Sequence, residues 1–392
     1  MILSDIMTQV RGLSYSKKDS TDVYDEGKIA VLRAGNIYES QIIEKDYVFV
    51  PRTLVKEKQY LKHGDILIAA SSGSISVVGK AAMVSNNMDA SFGAFCKVLR
   101  PDKAKVDLNY FKHFFETDYY KRTIKSLAEG ANINNLKTEH FDNLNIPLPP
   151  LEEQKKIAAI LDAADDYRQK TKALINKYDQ LTQSLFLDMF GDPVTNPKGW
   201  DYKNLSELVS KLGDGIHGTP NYSEDGEYYF INGNNLHQGQ IFIDDKTKRV
   251  SKAEFLKHRK ELNSNTVLVS INGTIGKVAF YNNEPIMLGK SACYFNLIEG
   301  VVNRSFLYNI FYSPYFKRYA GNQATGSTIK NVSLKTMRAF PIPYPPLKLQ
   351  NQFAERVAQI EKQKLQAEAS LVKAEELFSS LLQRAFKGEL TN

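Results

Sequence analysis

The stretch IPLPPL at residues 146–151 recurs as IPYPPL at residues 342–347, and this repetition indicates a duplicated architecture. Residues 133–192 align without a gap onto residues 329–388, a shift of 196 in a chain of 392 residues. The alignment holds 15 identities in 60 positions, where chance would give only a few. Because a chain built from two copies of one module can engage its ligand twice, we expect a target with two binding points.

Each repeated segment predicts a long helix that begins at a pair of prolines. Proline suits the first turn of a helix but not its interior, so the prolines at 149–150 and 345–346 mark two helix starts. The first helix should run to about Phe190, where GDP at 191–193 stops it, and the second to about Phe386. At about 40 residues, each helix would be roughly 60 Å long.

Apolar residues recur at alternating steps of three and four along both helices, which is the spacing of a coiled-coil seam. A single amphipathic helix of this length cannot bury its stripe alone. We therefore expect the two helices to pack on each other as an antiparallel pair; packing along a β-domain is the alternative. The seam residues are Ile157, Ile160, Ala164, Leu174, Leu181 and Leu185 in the first helix, and Phe353, Val357, Ile360, Leu371, Phe378 and Leu381 in the second, where Lys364 interrupts the pattern.

The segment before each long helix is irregular and strand-rich. Short runs rich in Val, Ile and Leu, bounded by Gly, Asn, Ser or Asp, predict strands. AGNI at 34–37 matches NGNN at 232–235, and aromatic stretches at 110–122 and 306–318 predict a helix packed on the sheet in each half. The predicted strands cover residues 28–34, 46–50, 65–70, 228–231 and 266–271.

These patterns predict an α+β fold: two pseudo-twofold-related mixed α/β domains separated by two long antiparallel coiled-coil helices. On antiparallel rods, equivalent faces of the two domains would lie at opposite ends. Such an arrangement fits a ligand with two binding points at a fixed separation, as a DNA duplex offers. The expected boundaries are 1–148 for the first domain, 149–191 for the first spacer helix, 192–344 for the second domain and 345–392 for the second spacer helix.

Composition narrows the class of protein but does not decide its function. The formal net charge of +7 fits a slightly basic cytosolic protein and a polyanion binder such as DNA equally well. Cys96 and Cys293 are the only cysteines, so a disulfide framework is not expected and a reduced, cytoplasmic protein is. The N-terminal MILSDIMTQV lacks the features of a signal peptide, and no apolar run approaches the roughly 20 residues of a membrane span.

The motifs that an enzyme would need are missing from the sequence. We find no Asn/Asp-Pro-Pro-Tyr/Phe site for gripping a flipped adenine and no glycine-rich cofactor loop. GSISVVGKA at 73–81 only superficially resembles a phosphate-binding loop, because its glycines enclose five residues rather than four and Ala81 replaces the magnesium-binding hydroxyl. The six histidines show no paired spacing for metal binding or nucleophilic catalysis. The prediction is a non-catalytic chain without cofactor or metal.

Side chains that read DNA bases need exposed loops, with Lys and Arg nearby for phosphates. Loops rich in Gly, Asn, Ser and Lys occur in both halves, although Gly and Asn also simply make turns. Lys80 and Lys277 each follow a glycine and suggest a shared task, either phosphate contact or a solvated strand end. His217 lies in a glycine loop, where a turn or surface role competes with DNA contact. The candidate DNA-binding residues are Asn36, Ser72, Lys80, His217, Asn234, Asn272, Lys277 and Lys330.

The alternation of a variable domain and a PxPPLxxQ helix, twice over, resembles the specificity (S) subunit of bacterial type I restriction-modification systems. FGDPVTNPKGW at 190–200 and GDGIHGTPNY at 213–222 add to the resemblance, which covers the whole chain. The opening of the first domain fits the family pattern less well than that of the second.

The resemblance implies that each variable segment is a target recognition domain for one half of a bipartite, interrupted sequence in double-stranded DNA. The helices would set the gap and dock two modification (methyltransferase) subunits, which carry the S-adenosylmethionine chemistry. Restriction (motor-nuclease) subunits would join through the complex, and a membrane would not be a partner.

Two other functions stay open on the sequence alone. A stand-alone methyltransferase-nuclease would bind S-adenosylmethionine as the isolated chain. A structural coiled-coil adaptor without direct DNA readout would join two protein ligands and would not show DNA binding with a steep salt dependence.

Overall fold

The computed structural model describes residues 1–129, 135–323 and 331–390. The chain divides into two compact units, Met1–Lys172 with Ala369–Asn392, and Ala173–Glu368. Each unit holds one strand-rich domain and a part of each long helix. The end of the second long helix therefore belongs with the first domain, although it lies last in the sequence.

The first unit contains a four-stranded sheet, a three-stranded sheet and a small hairpin. In sheet order, the strands of the larger sheet are Met7–Arg11, Cys96–Pro101, Ile66–Ala69 and Ala81–Met83. Those of the smaller sheet are Val48–Pro51, Lys28–Leu32 and Ala90–Phe92, and the hairpin joins Ile37–Tyr38 to Gln41–Ile42. The domain's helices are Leu108–Phe114, Asp118–Glu129 and Thr138–Asp142, with 3-10 turns at Leu3–Asp5, Lys17–Asp19, Ala34–Asn36, Arg52–Leu54 and Glu57–Gln59.

The second unit repeats this topology strand for strand. Its larger sheet has the order Val209–Asp214, Ala292–Leu297, Thr266–Ser270 and Val278–Phe280. Its smaller sheet has the order Arg249–Val250, Tyr228–Ile231 and Ile286–Leu288, and its hairpin joins Leu236–His237 to Gln240–Ile241. A further pair joins Tyr202–Asn204 to Pro341–Pro343, and the shorter helices are Leu205–Leu208, Lys252–His258, Arg304–Tyr312, Pro314–Gln323 and Leu334–Arg338, with a 3-10 turn at Gly233–Asn235.

The larger sheet of each unit separates two apolar cores. Alternate side chains of a strand point to opposite faces, so Ile66 and Ile68 pack toward the helices while Leu67 packs toward the smaller sheet. Val267 and Leu268 divide in the same way in the second unit. The predicted α+β class and the five predicted strands are confirmed, with ends that differ by one or two residues.

The aromatic stretches form two short helices in each unit rather than the single helix predicted over 110–122 and over 306–318. In the first unit the Thr117 hydroxyl donates to the Phe114 carbonyl and accepts from the Tyr120 amide, which ends one helix and starts the next. In the second, Pro314 cannot continue a helix and instead begins a new one. The apolar spacing showed burial but not the break.

The two long helices run over Leu151–Phe190 and Leu347–Lys387, each directly after its proline pair, as predicted. A repeated glutamine fixes each start. The Gln154 side chain accepts from the Asp107 amide at 2.9 Å and donates to the Pro149 carbonyl at 2.8 Å. Gln350 makes the same pair of bonds, to the Asn303 amide and the Pro345 carbonyl. The recurring glutamine of the sequence motif therefore ties each domain to its helix.

Within each unit the two long helices pack antiparallel. In the first unit the Arg168 guanidinium lies 4.2 Å from the centre of the Phe378 ring, and Lys172 lies 3.6 Å from Glu375. Residue numbers therefore rise along one helix as they fall along the other. In the second unit Asp179 contacts Lys364 at 2.6 Å, and the Phe190 and Phe353 ring centres are 5.2 Å apart, which gives the same sense.

The residues predicted for the seam of the second helix are buried or half-buried. Phe353 and Phe378 are buried, and the intervening seam residues are half-buried or buried. Lys364 lies in the seam with its ammonium on Asp179.

Half of the seam predicted for the first helix is wrong by one residue. Ile157 is buried and Ala164 and Leu185 are half-buried, but Ile160, Leu174 and Leu181 are 39%, 42% and 49% exposed. The following residues take their places: Leu161 is fully buried, and Ile175 and Thr182 are half-buried.

Polar residues hide the true seam of the first helix. Arg168 packs its guanidinium on an aromatic ring, as described above. The Thr171 and Thr182 hydroxyls donate to the carbonyls of Tyr167 and Tyr178. Because these hydroxyls already have hydrogen-bond partners within the helix, the two threonines can lie in the interface between the helices.

Candidate nucleic-acid interface

Distant segments of the first domain meet around a cleft of about 1090 Å³. Backbone bonds hold them: the Leu13 amide donates to the Phe92 carbonyl at 2.7 Å, and the Gly93 amide donates to the Leu32 carbonyl at 2.9 Å. The amide of Ala70 donates to the Phe95 carbonyl at 2.9 Å. The lining residues fall in 13–15, 33–36, 45–46, 71–73 and 93–96.

The second domain joins the corresponding segments by the same bonds. The Ile216 amide donates to the Leu288 carbonyl at 2.9 Å, and the Gly289 amide donates to the Ile231 carbonyl at 2.8 Å. The Ile271 amide donates to the Ser291 carbonyl at 3.1 Å, as Ala70 does to Phe95. The backbone of this face is therefore built twice.

In each domain, one glycine allows two backbone segments of this face to approach each other closely. A Cβ on Gly12 would collide with the carbonyl of Gly93, and one on Gly215 would collide with the carbonyl of Leu288. Both sites need the bare backbone, since the obstructing atoms are themselves backbone.

The side chains on this shared backbone differ between the two domains. The backbone bonds match Ser14 with His217, Arg33 with Asn232, Ser71 with Asn272 and Phe95 with Ser291. One framework thus presents two different sets of donors, acceptors and apolar groups.

Asn36 lies at the cleft, but its own side chain holds a turn. Its amide oxygen accepts from the Arg33 amide at 2.9 Å, and its nitrogen donates to the carbonyls of Ile43 and Lys45. Asn235 does the same work in the second domain, accepting from the Asn232 amide at 3.0 Å. A base contact by Asn36 remains a prediction.

The sequence match between AGNI and NGNN was therefore one residue out of register. Asn36 corresponds to Asn235, and the candidate Asn234 corresponds to Gly35. Asn234 is exposed, so its amide faces solvent at this turn.

The remaining candidates occupy different positions around the two domains. Ser72 lines the cleft and its hydroxyl accepts from the Ser74 amide at 3.2 Å. Asn272 pairs by its backbone with Asn331. His217 contacts the Asp214 carboxylate through Nε2 at 2.9 Å, with 63% of its side chain exposed. The position of Lys330 lies outside the described residues.

Lys80 and Lys277 occupy equivalent places, as their recurrence suggested. The Ala69 amide donates to the Lys80 carbonyl at 2.9 Å, and the Ser270 amide donates to the Lys277 carbonyl at 2.8 Å. Lys80 lies outside the cleft and lines a separate cavity with Gly79 and Tyr120. In the described part of the chain, the structure gives neither ammonium an ion-pair partner.

Phe95 is a cleft residue that the sequence analysis missed. Its side chain is 71% exposed, more than that of any other large hydrophobic residue in the described ranges. The turn beneath it is fixed, because its carbonyl accepts from the amides of both Ala70 and Ser71. An aromatic residue where a turn usually carries a polar one, in GAF at 93–95, was the available signal.

The cysteines offer no reactive thiolate at neutral pH. Cys96 borders the cleft, and burial raises the pKa of its thiol to about 12. Burial also raises the pKa of Cys293.

The described ranges contain neither a cluster of metal-binding side chains nor a helix that could span a membrane. No three His, Cys, Asp or Glu side chains in those ranges cluster as metal ligands would. No helix there is both long and apolar enough to span a membrane.

Comparison with known proteins defines the family. A family model described as "Type I restriction modification DNA specificity domain" matches residues 1–179 and 197–374. This chain belongs to that family. It is 31% identical over 415 residues to the type I restriction enzyme EcoKI specificity subunit of Escherichia coli strain K12, covering 99% of this chain and 88% of that protein. It is also 31% identical over 425 residues to the StySPI specificity subunit of Salmonella potsdam, with the same coverage.

Solved structures share the fold at lower sequence identity. The S subunit of a type I restriction-modification system from M. genitalium superposes with a TM-score of 0.55 and 16% identity, covering 98% of this chain and 95% of that one. A chain from a structure of a type I restriction-modification system gives a TM-score of 0.57 at 17% identity, covering 100% and 97%.

Proposed function

We propose that this protein is the DNA-targeting subunit of a type I restriction-modification complex. It recognises a bipartite, interrupted sequence in double-stranded DNA and directs methyltransferase and restriction subunits to it. The observation that carries this proposal is the duplicated cleft framework, whose backbone is the same in both domains while its side chains differ. Two copies of one framework with different side chains suit two different half-sites.

Each domain takes one half-site. The target recognition domains are residues 1–148 and 192–344, and the spacer helices are residues 149–191 and 345–392. The pseudo-twofold relation of the domains and the setting of the gap by the helices are part of this proposal. The antiparallel packing of the helices within each unit supports it.

Base contacts belong to exposed and half-buried side chains on the cleft of the first domain and on the matching face of the second. In the first domain these are Ser72 and Phe95, because apolar groups such as Phe can contact a thymine methyl group. In the second domain His217, Asn234 and Asn272 supply donors and acceptors. The phosphate contacts are assigned to Lys80, Lys277 and Lys330, with Asn36 as a further base-contact candidate.

The partner subunits supply the chemistry. Two modification subunits dock on the spacer helices, and restriction subunits join through the complex, while this chain itself is non-catalytic and works in the cytoplasm. The relatives support this assignment, since they are named specificity subunits of restriction enzymes.

Methylation mapping of a host that carries this chain with its modification subunits tests the proposal. The expected result is one methylated motif of two specified half-sites separated by a gap of fixed length. An uninterrupted motif, or methylation that does not depend on this chain, would overturn the proposal. A binding measurement separates this function from that of a structural adaptor. The purified complex should bind DNA with a steep dependence on salt, and an adaptor without direct DNA readout would not.

A further inference from the structure

We propose that residues 246–260 of the second domain form a phosphate-binding surface that the first domain lacks. This inference rests on the proposed function and deepens it, because it gives the two domains unequal electrostatic shares in DNA binding. The ligand is the phosphate backbone of duplex DNA, independent of base sequence.

The charge of the whole chain is concentrated in this segment. KTKRVSKAEFLKHRK at 246–260 holds seven of the 51 Lys and Arg residues and one of the 44 Asp and Glu residues. It therefore carries +6 of the formal net charge of +7, and the remaining 377 residues carry +1. A surface rich in Lys and Arg is the electrostatic footprint of a nucleic-acid binder.

Three of the four carboxylates within or flanking the segment already have other partners; the fourth, Asp245, is exposed and lies outside ion-pair distance of any Lys or Arg in the described ranges. Glu254, the one acid within the segment, accepts from the Asn221 amide at 3.2 Å and lies 3.7 Å from His258. Of the flanking acids, Asp244 accepts from the Lys246 amide, and Glu261 pairs with Lys211 at 2.6 Å.

The basic side chains themselves are exposed. Within the described ranges, no carboxylate lies within ion-pair distance of a Lys or Arg of this segment. The exposed members are Lys246, Lys248, Arg249, Lys252, Lys257 and Arg259.

Aromatic rings hold the centre of the segment in place. The Lys248 ammonium lies 4.3 Å from the centre of the Tyr222 ring, and the Arg249 guanidinium lies 4.9 Å from that of Tyr229. The helix Lys252–His258 is fixed by Phe255, whose ring stacks on Tyr228 with centres 3.8 Å apart. Cationic side chains held on rings lose less conformational entropy when they bind phosphate.

The segment is continuous with the candidate interface. The loop at 217–221 leaves the matching face of the second domain at Ile216, which bridges to Gly289. It ends at Tyr222, which bridges to Val250 in the edge strand Arg249–Val250. One short loop thus connects this face of the second domain to the basic strand.

The first domain uses its corresponding strand differently. The matching edge strand, Val48–Pro51, has the sequence VFVP and carries no basic side chain. Arg52, the next residue, forms a two-pronged ion pair with Asp89. A cation held by a carboxylate is less available to phosphate than the exposed cations of the second domain.

Salt-dependent binding by the assembled complex tests this surface. The Lys248→Gln/Arg249→Gln and Lys252→Gln/Lys257→Gln variants each remove two positive charges. Lys121→Gln/Arg122→Gln is the control, because it removes an exposed Lys-Arg pair from the first domain, in which Arg122 lies 3.6 Å from Asp118. Affinity is measured between about 50 and 200 mM salt on target and unrelated duplexes.

Each lost phosphate contact should flatten the slope of log K against log salt by about 0.9, so each second-domain double variant should lose up to about 1.8. Affinity should fall on target and unrelated DNA alike, and the methylated motif should not change. The control should keep the wild-type slope. The Lys248→Arg/Arg249→Lys variant, which preserves both positive charges, should also keep it.

Two results overturn the surface: a wild-type slope in both second-domain variants, or a slope change no larger than that of the control. A changed methylation motif would also contradict it, since it would show base reading in place of phosphate binding. A wild-type complex without salt-dependent DNA binding would instead refute the proposed function, so the two failures are distinguishable.

Discussion

Lys364 of the second long helix donates to the carboxylate of Asp179 on the first at 2.6 Å, at a seam position of the second unit. The lysine side chain is 12% exposed and that of the aspartate 46%. Burial alone would lower the pKa of Lys364, but the hydrogen bond to Asp179 and the negative charges of Asp179, Glu361 and Glu368 together raise that pKa above 10.5. The pair therefore makes a polar seam position tolerable.

This ion pair predicts a dependence of stability on alkaline pH. Since the pKa of Lys364 is raised in the folded state, its contribution is fully present below pH 10.5 and is lost as the pH rises through the higher folded value. Asp179→Asn should cost about 1 kcal/mol at neutral pH, because solvent screens the half-exposed pair. Urea unfolding at pH 7 and above pH 10.5 measures both effects. A Lys364→Met variant with an undiminished alkaline loss would contradict the assignment.

Neighbouring residues test the seam of the first helix. Leu161→Ala should destabilise the protein by about 2–5 kcal/mol, since it leaves a cavity at a fully buried position. Ile160→Ala should cost less than about 1 kcal/mol, because that side chain is 39% exposed. Chemical unfolding of the two variants side by side gives the comparison. Equal losses would show that the observed register is wrong.

The repeated glutamines should have equal effects on stability. Gln154→Ala and Gln350→Ala each leave a partly buried backbone amide and a partly buried (Pro149) or buried (Pro345) carbonyl unpaired, which should cost about 1 kcal/mol per group. Gln359→Ala, on the exposed face of the second helix, is the control and should be nearly neutral. Thermal unfolding checks all three. A neutral result at either repeated glutamine would mean that its bonds do not hold the domain to the helix.

Local signals explain why some of this structure could be predicted. Proline restricts only the backbone next to it, so the starts of the long helices could be predicted directly from residues 149–150 and 345–346. The seam of the first helix was harder, because Thr171, Thr182 and Arg168 look polar in sequence. The repeat itself predicts the seam of the first helix. Subtracting 196 from the residue numbers of the seam of the second helix gives the residue numbers of the seam observed in the first.

The cleft could not be assembled from the sequence because its parts are far apart along the chain. Hydrogen bonds between strand ends bring Leu13, Asn36, Ser72 and Phe95 to one face, and no local pattern encodes those pairings. Composition pointed to loops rich in Gly, Asn and Ser, whose part in DNA binding stays a prediction. It did not separate an asparagine that holds a turn, such as Asn36, from one that faces solvent, such as Asn234.

Phe95 gives a prediction for specificity in the first domain. Phe95→Ser places there the residue that the second domain carries at the matched position, Ser291, and removes the exposed ring. Losing an apolar base contact should relax one position of one half-site, with discrimination falling by about 1–3 kcal/mol. Methylation mapping reads the motif directly. Tyr24→Ser, which removes an exposed ring that does not line the cleft, is the control.

Lengthening the spacer should lengthen the gap. Four residues added to each long helix, about one turn or roughly 6 Å, should increase the number of unspecified base pairs between the half-sites. The specified bases should stay the same, because neither target recognition domain is altered. The methylated sites of the variant give both quantities. A gap of unchanged length would rule out the helices as the spacer.

Exchange of residues 197–340 for the same segment of another specificity subunit asks whether each domain reads its own half-site. The methylated motif of the host is mapped before and after the exchange. If each domain reads its own half-site, one half of the motif changes to that of the donor protein while the other half stays as it was. A change in both halves, or in neither, would contradict the account.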